Sequence, residues 1–189
     1  YNELFIRHWS SWETPGNYSR LFTFEMKDGK IVGEGNAADG GLTGDTPSKP
    51  FGGSEEIAWT PDGKTIVFAL READRNEPKS TDIDIYGTEA EGGKTRPMPH
   101  NGDGTDNLPA FAPDDKTFAW AAMARAGYES DRMVVKLMKK SEKRKPPRAL
   151  TADWDRSVGS ISWTPDSEGL IVTAQEVLDH PAFAIDDET

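Results

Sequence analysis

The chain of 189 residues carries 22 Lys and Arg against 33 Asp and Glu, a formal net charge of −11. That balance argues against a nucleic-acid partner, because phosphate binding needs a basic stripe. It has no cysteine, so neither a disulfide framework nor a thiolate metal site is open to it, and no apolar run approaches the ~20 residues that cross a bilayer as a helix. The charge reads first as a solubility device and second as an acidic mouth for cationic ligands. The lack of cysteine fits a reducing cytosol and a bacterial periplasm alike. The chain opens on Tyr1, with no Met and no signal-peptide pattern, and is expected to be a processed or excerpted chain.

In chain order, "LFIRHW" (4–9) reads as the end of a strand and "SRLFTFEMKDGK" (19–30) as the next one; Asn17-Tyr18-Ser19 matches a glycosylation sequon. The Gly-rich "VGEGNAADGGLTGDT" (32–46) is expected to be a long flexible connection. It leads to "IAWTPDGKTIVFAL" (57–70), a strand, a Pro-Asp-Gly turn and a second strand. The same hairpin returns as "PAFAPDDKTFAWAA" (109–122) and "SISWTPDSEGLIVTA" (160–174). Pro61, Pro113 and Pro165 recur at a spacing of 52 residues. The pairs Ile57 and Trp59, then Ile161 and Trp163, stand two apart and share one face of their strand.

A third strand follows each hairpin: "TDIDIYGTEAEGG" (81–93), "DRMVVKLMKKSEK" (131–143) and "HPAFAIDDE" (180–188). Met133, Val134, Leu137 and Met138 also fit a helical period, but the repeat register favours strand. "KTRPMP" and "PPRALT" complete two of the units. Four short strands in about 50 residues, repeated, are the signature of propeller blades. The expected fold is all-β, a partial β-propeller of about three to four four-stranded antiparallel blades. The expected division is a partial blade over 1–54 with its Gly-rich loop, blades over 55–106 and 107–158, and an incomplete blade over 159–189. Trp59, Trp120 and Trp163 are expected in the core. The apolar faces of such blades are buried only against neighbours, so an excised piece is expected to self-associate through exposed edges or to need its remaining blades.

Little in the chain looks like chemistry. "GGSEE" (52–56) begins like a nucleophile elbow, but Ser54 is followed by two glutamates and a strand, so it reads as a loop serine. His8, His100 and His180 stand in three different repeat contexts, with neither triad nor zinc spacing. "NGDGTDN" (101–107) lacks the glutamate of a calcium loop, with Ala112 in its place, and reads as turn chemistry. No cofactor is expected. In four-stranded blades the loops entering the first strand and those joining the second to the third share one face. "FGGSEE", "HNGDGTDN", "ADWDRS", "READRNEPKS", "ARAGYES" and "VLDH" are therefore expected together, on the side opposite the hairpin prolines.

The "W-[ST]-P-D-G-K" hairpins resemble the propellers of the prolyl oligopeptidase family and of the periplasmic Tol-type propeller protein. "LFIRHWSSW", "SRLFTFEM", "FGGSEEIAWTPDGKTIVFALR", "STDIDIYGTEAEGG", "ALTADWDRSVGSISWTPDSEGLIVTA" and "HPAFAID", in that order, resemble bacterial dipeptidyl-peptidase 5-type enzymes and span most of the chain. The resemblance implies a propeller capping an α/β-hydrolase domain. That domain would hold the Ser-Asp-His triad outside these 189 residues, so this chain is not expected to be catalytic by itself. It implies a serine exopeptidase releasing dipeptides from the N-termini of short peptides, periplasmic or secreted, without membrane insertion. Two alternatives remain: a non-enzymatic Tol-type propeller binding a protein partner, and the propeller of an acylaminoacyl peptidase.

A peptidase of the first kind must hold a free ammonium, which paired carboxylates can do. Relatives in the wider family place a Glu-Glu pair on a helical insertion upstream of a similar hairpin. Glu55 and Glu56 are the corresponding candidates here, against a reading as solvated loop charge. Arg71 and Arg125, ending equivalent strands, would meet a ligand carboxylate or form salt bridges within the blade. Trp154 and Arg156 would form a substrate wall, or an inter-blade packing tryptophan beside a local ion pair.

Overall fold

The computed structural model describes residues 16–74, 77, 80–99, 102–142 and 144–186. The segment 4–9, His8 and His100 lie outside them. The described residues are all-β, without an α-helix.

The first two strands, β1 (Phe22–Lys27) and β2 (Lys30–Ala37), form an antiparallel hairpin. Asp28 (φ 51°) and Gly29 (φ 72°) are both left-handed, as a two-residue primed turn requires. This corrects the expectation of a loop from residue 32. The first part of the Gly-rich stretch is strand, and Gly35 is there for space: a Cβ on it would stand 2.6 Å from the Phe24 ring.

The second sheet contains β3 (Gly44–Asp45), β4 (Ile57–Trp59), β5 (Thr65–Glu72), β6 (Asp84–Glu89) and β7 (Arg96–Pro97). Both β3 and β4 pair with β5, Asp45 opposite Arg71 and Ile57 opposite Phe68. They are two pieces of one inner edge, interrupted by an excursion over residues 46–56. The third sheet runs in the order β8 (Asp106–Phe111), β9 (Thr117–Ala122), β10 (Val134–Lys139) and β11 (Arg148–Ala149), with β10 a strand as the repeat register requires. The last is β12 (Val158–Trp163), β13 (Gly169–Ala174) and β14 (Ala182–Asp186).

These sheets stack face to face as propeller blades. Six consecutive residues of β5, and all of β9, are buried, because each of these strands has a neighbouring sheet on both sides. Val67, Ala69 and Ile85 meet Phe118, Trp120 and Met138 between the second and third sheets. Ala119, Val135 and Leu137 turn the other way, toward Val158, Leu170 and Val172. Phe68, Leu70 and Tyr86 pack with Leu21 and Leu42 on the remaining side.

The three hairpin turns are built alike. Thr60 N and Gly63 N donate to Thr65 O and Thr60 O; Ala112 and Thr164 begin the same pattern, with Asp115 and Ser167 in place of Gly63. Gly63, Asp115 and Ser167 all have φ between 61° and 69°. The carboxylates of Asp62, Asp114 and Asp166 each accept from the backbone N–H two residues on, at 3.0–3.1 Å.

Of the three tryptophans expected in the core, only Trp120 is fully buried. Trp163 is partly buried and donates through Nε1 to Ala110 O of the preceding blade at 3.2 Å. Trp59 holds the equivalent place but is 47% exposed. On its side the described structure has only the β1–β2 hairpin, without an inner strand for the indole to cover.

Candidate active-site face

The excursion 46–56 is built around one carboxylate. Glu56 ends a 3₁₀ turn over Ser54–Glu56 and is buried. Its Oε2 accepts from Ser48 N at 2.6 Å. Its Oε1 accepts from Ser48 Oγ at 2.7 Å and from Asn107 Nδ2 at 2.9 Å. Three donors satisfy the buried carboxyl oxygens, whose burial without partners would be costly. Gly52 lets the loop close over this group, since a Cβ there would lie 2.5 Å from Glu56 Oε2. At the base of the excursion Asp45 Oδ1 accepts from Ser19 N at 2.7 Å and pairs with Lys49 Nζ at 2.8 Å. The adjoining segment is tied by Arg20, whose guanidinium donates to both oxygens of Asp39 at 2.5 and 2.7 Å. That hydrogen bonding holds the Asp39 carboxyl below the usual carboxylate range.

Beyond the excursion opens a cavity of about 1000 Å³. Glu55, exposed beside buried Glu56, lines it. So do Arg71 of β5, Glu77 and Thr81 from the connection between β5 and β6, Asn107 and Leu108 of β8, Tyr128 from the loop before β10, and Gly159 of β12. The rim is stitched between blades: Thr105 Oγ1 donates to Thr81 O, and Gly127 N donates to Thr81 Oγ1 at 3.1 Å. Arg71 is largely buried, and its Nη1 stands 3.8 Å from Glu77 Oε1. Nearby on β5, Glu72 accepts from the Tyr86 hydroxyl, and burial together with that carboxylate pushes the phenol up, so Tyr86 stays protonated.

The sequence candidates divide. Glu55, Glu56 and Arg71 come together at the cavity, but Glu56 is not the solvated loop charge that was one of its two readings. Arg125 does not line the cavity; it pairs with Asp131 at 3.4 Å and lies 4.2 Å over the Tyr128 ring. Trp154 packs edge-on against Phe183 at 4.9 Å, and Arg156 pairs with Glu176 at 2.8 Å; neither lines the cavity. Ser54 sits in the 3₁₀ turn ahead of β4, and His180 is exposed beyond β13. Among the described residues no group of three His, Cys, Asp or Glu could hold a metal ion.

Sequence reasoning missed Ser48, Asn107 and Leu108. The repeat held a signal for one of them: at the spacing of the hairpin prolines, Glu55, Asn107 and Gly159 are equivalent, and all three line the cavity. The described part of 101–107 is not all turn, because Asp106 and Asn107 open β8. There the strand bulges, with Leu108 left-handed (φ 55°) and its N–H donating to Asn107 Oδ1 at 2.6 Å.

Stacked antiparallel blades with a cavity on their loop face define a partial β-propeller with a ligand-sized opening. No family model matches the chain. Along most of its length it is similar to the dipeptidyl-peptidase 5 of Arthroderma otae, 32% identical over 195 residues, covering 93% of this chain and 26% of that protein. It is also similar to the dipeptidyl-peptidase 5 of Porphyromonas gingivalis, 33% identical over 175 residues, 91% of this chain and 25% of that one. The chain thus spans about a quarter of the length of these curated relatives. Among solved structures, a chain from Agrobacterium tumefaciens assigned as TolB is similar at 17% identity and a TM-score of 0.49, covering 69% of this chain and 44% of that one.

Proposed function

We propose that this chain is the substrate-gating propeller portion of a periplasmic or secreted serine exopeptidase that releases dipeptides from the N-termini of short peptides. The observation that carries the reading is Glu55, an exposed carboxylate on a firmly tied excursion, facing a cavity of about 1000 Å³. A cavity of that size admits a few residues of peptide. Glu55 accepts hydrogen bonds from the free α-ammonium of the substrate, and Arg71 donates to a substrate carbonyl or carboxylate across the cavity. The surrounding blades exclude long chains, and the bond-breaking groups come from a hydrolase domain of the same protein. The similarity to dipeptidyl-peptidase 5 proteins supports the reading.

The test is Glu55→Gln in the full-length protein, with kcat/KM measured on a dipeptidyl amide and on its counterpart lacking the α-amino group. Losing a charge-assisted hydrogen bond of about 1.5–3 kcal/mol lowers the first by about 10- to 100-fold and spares the second. Equal rates before and after the change, with blocked N-termini accepted, would assign the propeller to an acylaminoacyl peptidase. Absence of any peptidase activity in the full-length protein would point to a Tol-type module that binds a protein.

A further inference from the structure

The two adjacent glutamates have opposite surroundings, and that asymmetry has a cause in the neighbouring blade. Both line the cavity, but Glu56 is buried with both oxygens occupied by protein donors, while Glu55 is exposed. Of the three donors to Glu56, two come from Ser48 of the same excursion. The third, Asn107 Nδ2, comes from β8 and crosses between blades. Asn107 is itself held, since its Oδ1 accepts from Leu108 N within the bulge. A left-handed leucine is a strained conformation, retained only where the surroundings over-determine it. Here the bulge re-aims the Asn107 amide out of the regular ladder and toward Glu56.

We propose that Asn107 is a positioning residue for ammonium recognition. Through Glu56 it fixes the excursion, and hence Glu55, relative to the next blade, so that only one of the two glutamates meets the ligand. This rests on the reading of Glu55 given above. It also means that ammonium recognition depends on the relative placement of two blades, and not on the excursion alone.

The experiment uses the full-length protein and the same pair of substrates, with and without the α-amino group, and reads the ratio of their kcat/KM values. Asn107→Ala lowers that ratio by about tenfold. Ser48→Ala, which removes one donor and leaves the inter-blade link, lowers it less. Below about pH 7, where the substrate's α-amino group stays protonated, Asn107→Asp gives the ratio a pH dependence that the parent lacks: at the acid end the two facing carboxyls share a proton and the link survives, and as pH rises they repel and the ratio falls. The ratio cancels the pH dependence of the bond-breaking step, and a merely structural role would lower both rates together and leave it unchanged. An unchanged ratio in Asn107→Ala and Asn107→Asp, with Glu55→Gln still lowering it, overturns the role of Asn107 alone. If Asn107→Ala does not fold, the pH series on Asn107→Asp decides. An unchanged ratio in Glu55→Gln overturns both readings.

Discussion

At the scale of single residues, the three hairpin aspartates give the molecule an acid sensitivity. Hydrogen bonds hold all three carboxyls below the usual carboxylate range: from Thr60 first for Asp62, from the Lys116 N–H first for Asp114, and from Thr164 first for Asp166. A carboxyl whose folded pKa is depressed contributes stability that is complete above its unfolded pKa, about 3.9 for Asp, and is lost as pH falls through the folded value. Stability should therefore be flat with respect to these groups above about pH 5 and decline below pH 4. The triple replacement Asp62→Asn, Asp114→Asn and Asp166→Asn should flatten the acid limb of Tm against pH. A limb as steep as that of the parent would remove these residues from its cause.

At the scale of the element, the strands that were easiest to read are those whose pattern is local. "TIVFAL" and "TFAWAA" are near-continuous apolar runs after a Pro-Asp turn, and both became central strands buried on both faces. Trp120→Ala should cost about 3–5 kcal/mol, as truncation of a buried aromatic does, whereas Trp59→Ala should cost less than about 1 kcal/mol; urea unfolding of the two variants measures the difference. The pattern marks both tryptophans as core, because alternation reports which face a residue shares and not whether a neighbour covers that face. The β1–β2 hairpin was obscured by its glycines, which composition counts as flexible although Gly35 makes room for a ring. The interior place of Glu56 was not legible at all. Its partner Asn107 stands on another blade, and no local spacing marks a carboxylate as buried when its donors come from a distant strand.

For the molecule as a whole, the β1–β2 hairpin leaves Phe22, Phe24, Met26 and Ile31 between 46% and 61% exposed. We propose that the isolated chain self-associates through this side, which a further blade would otherwise cover. Sedimentation velocity should show species larger than 20.8 kDa. Their fraction should rise with added salt, which screens the repulsion of a charge of −11, and Phe24→Glu should abolish them. A chain that is monomeric at every salt concentration would refute the association.

The interrupted inner edge of the second sheet carries one further consequence. Asp45 and Ile57 keep their register on β5 although the excursion 46–56 intervenes, and only Ala69 and Leu70 lie opposite the gap. The blade thus tolerates an inserted segment without altering its own pairing. The segment can therefore vary while the strand pairing stays, provided that the inter-blade link from Asn107 is kept. A lineage could exchange the segment while inheriting the same stack of blades, and a protein engineer could graft a different loop between the same two anchor residues.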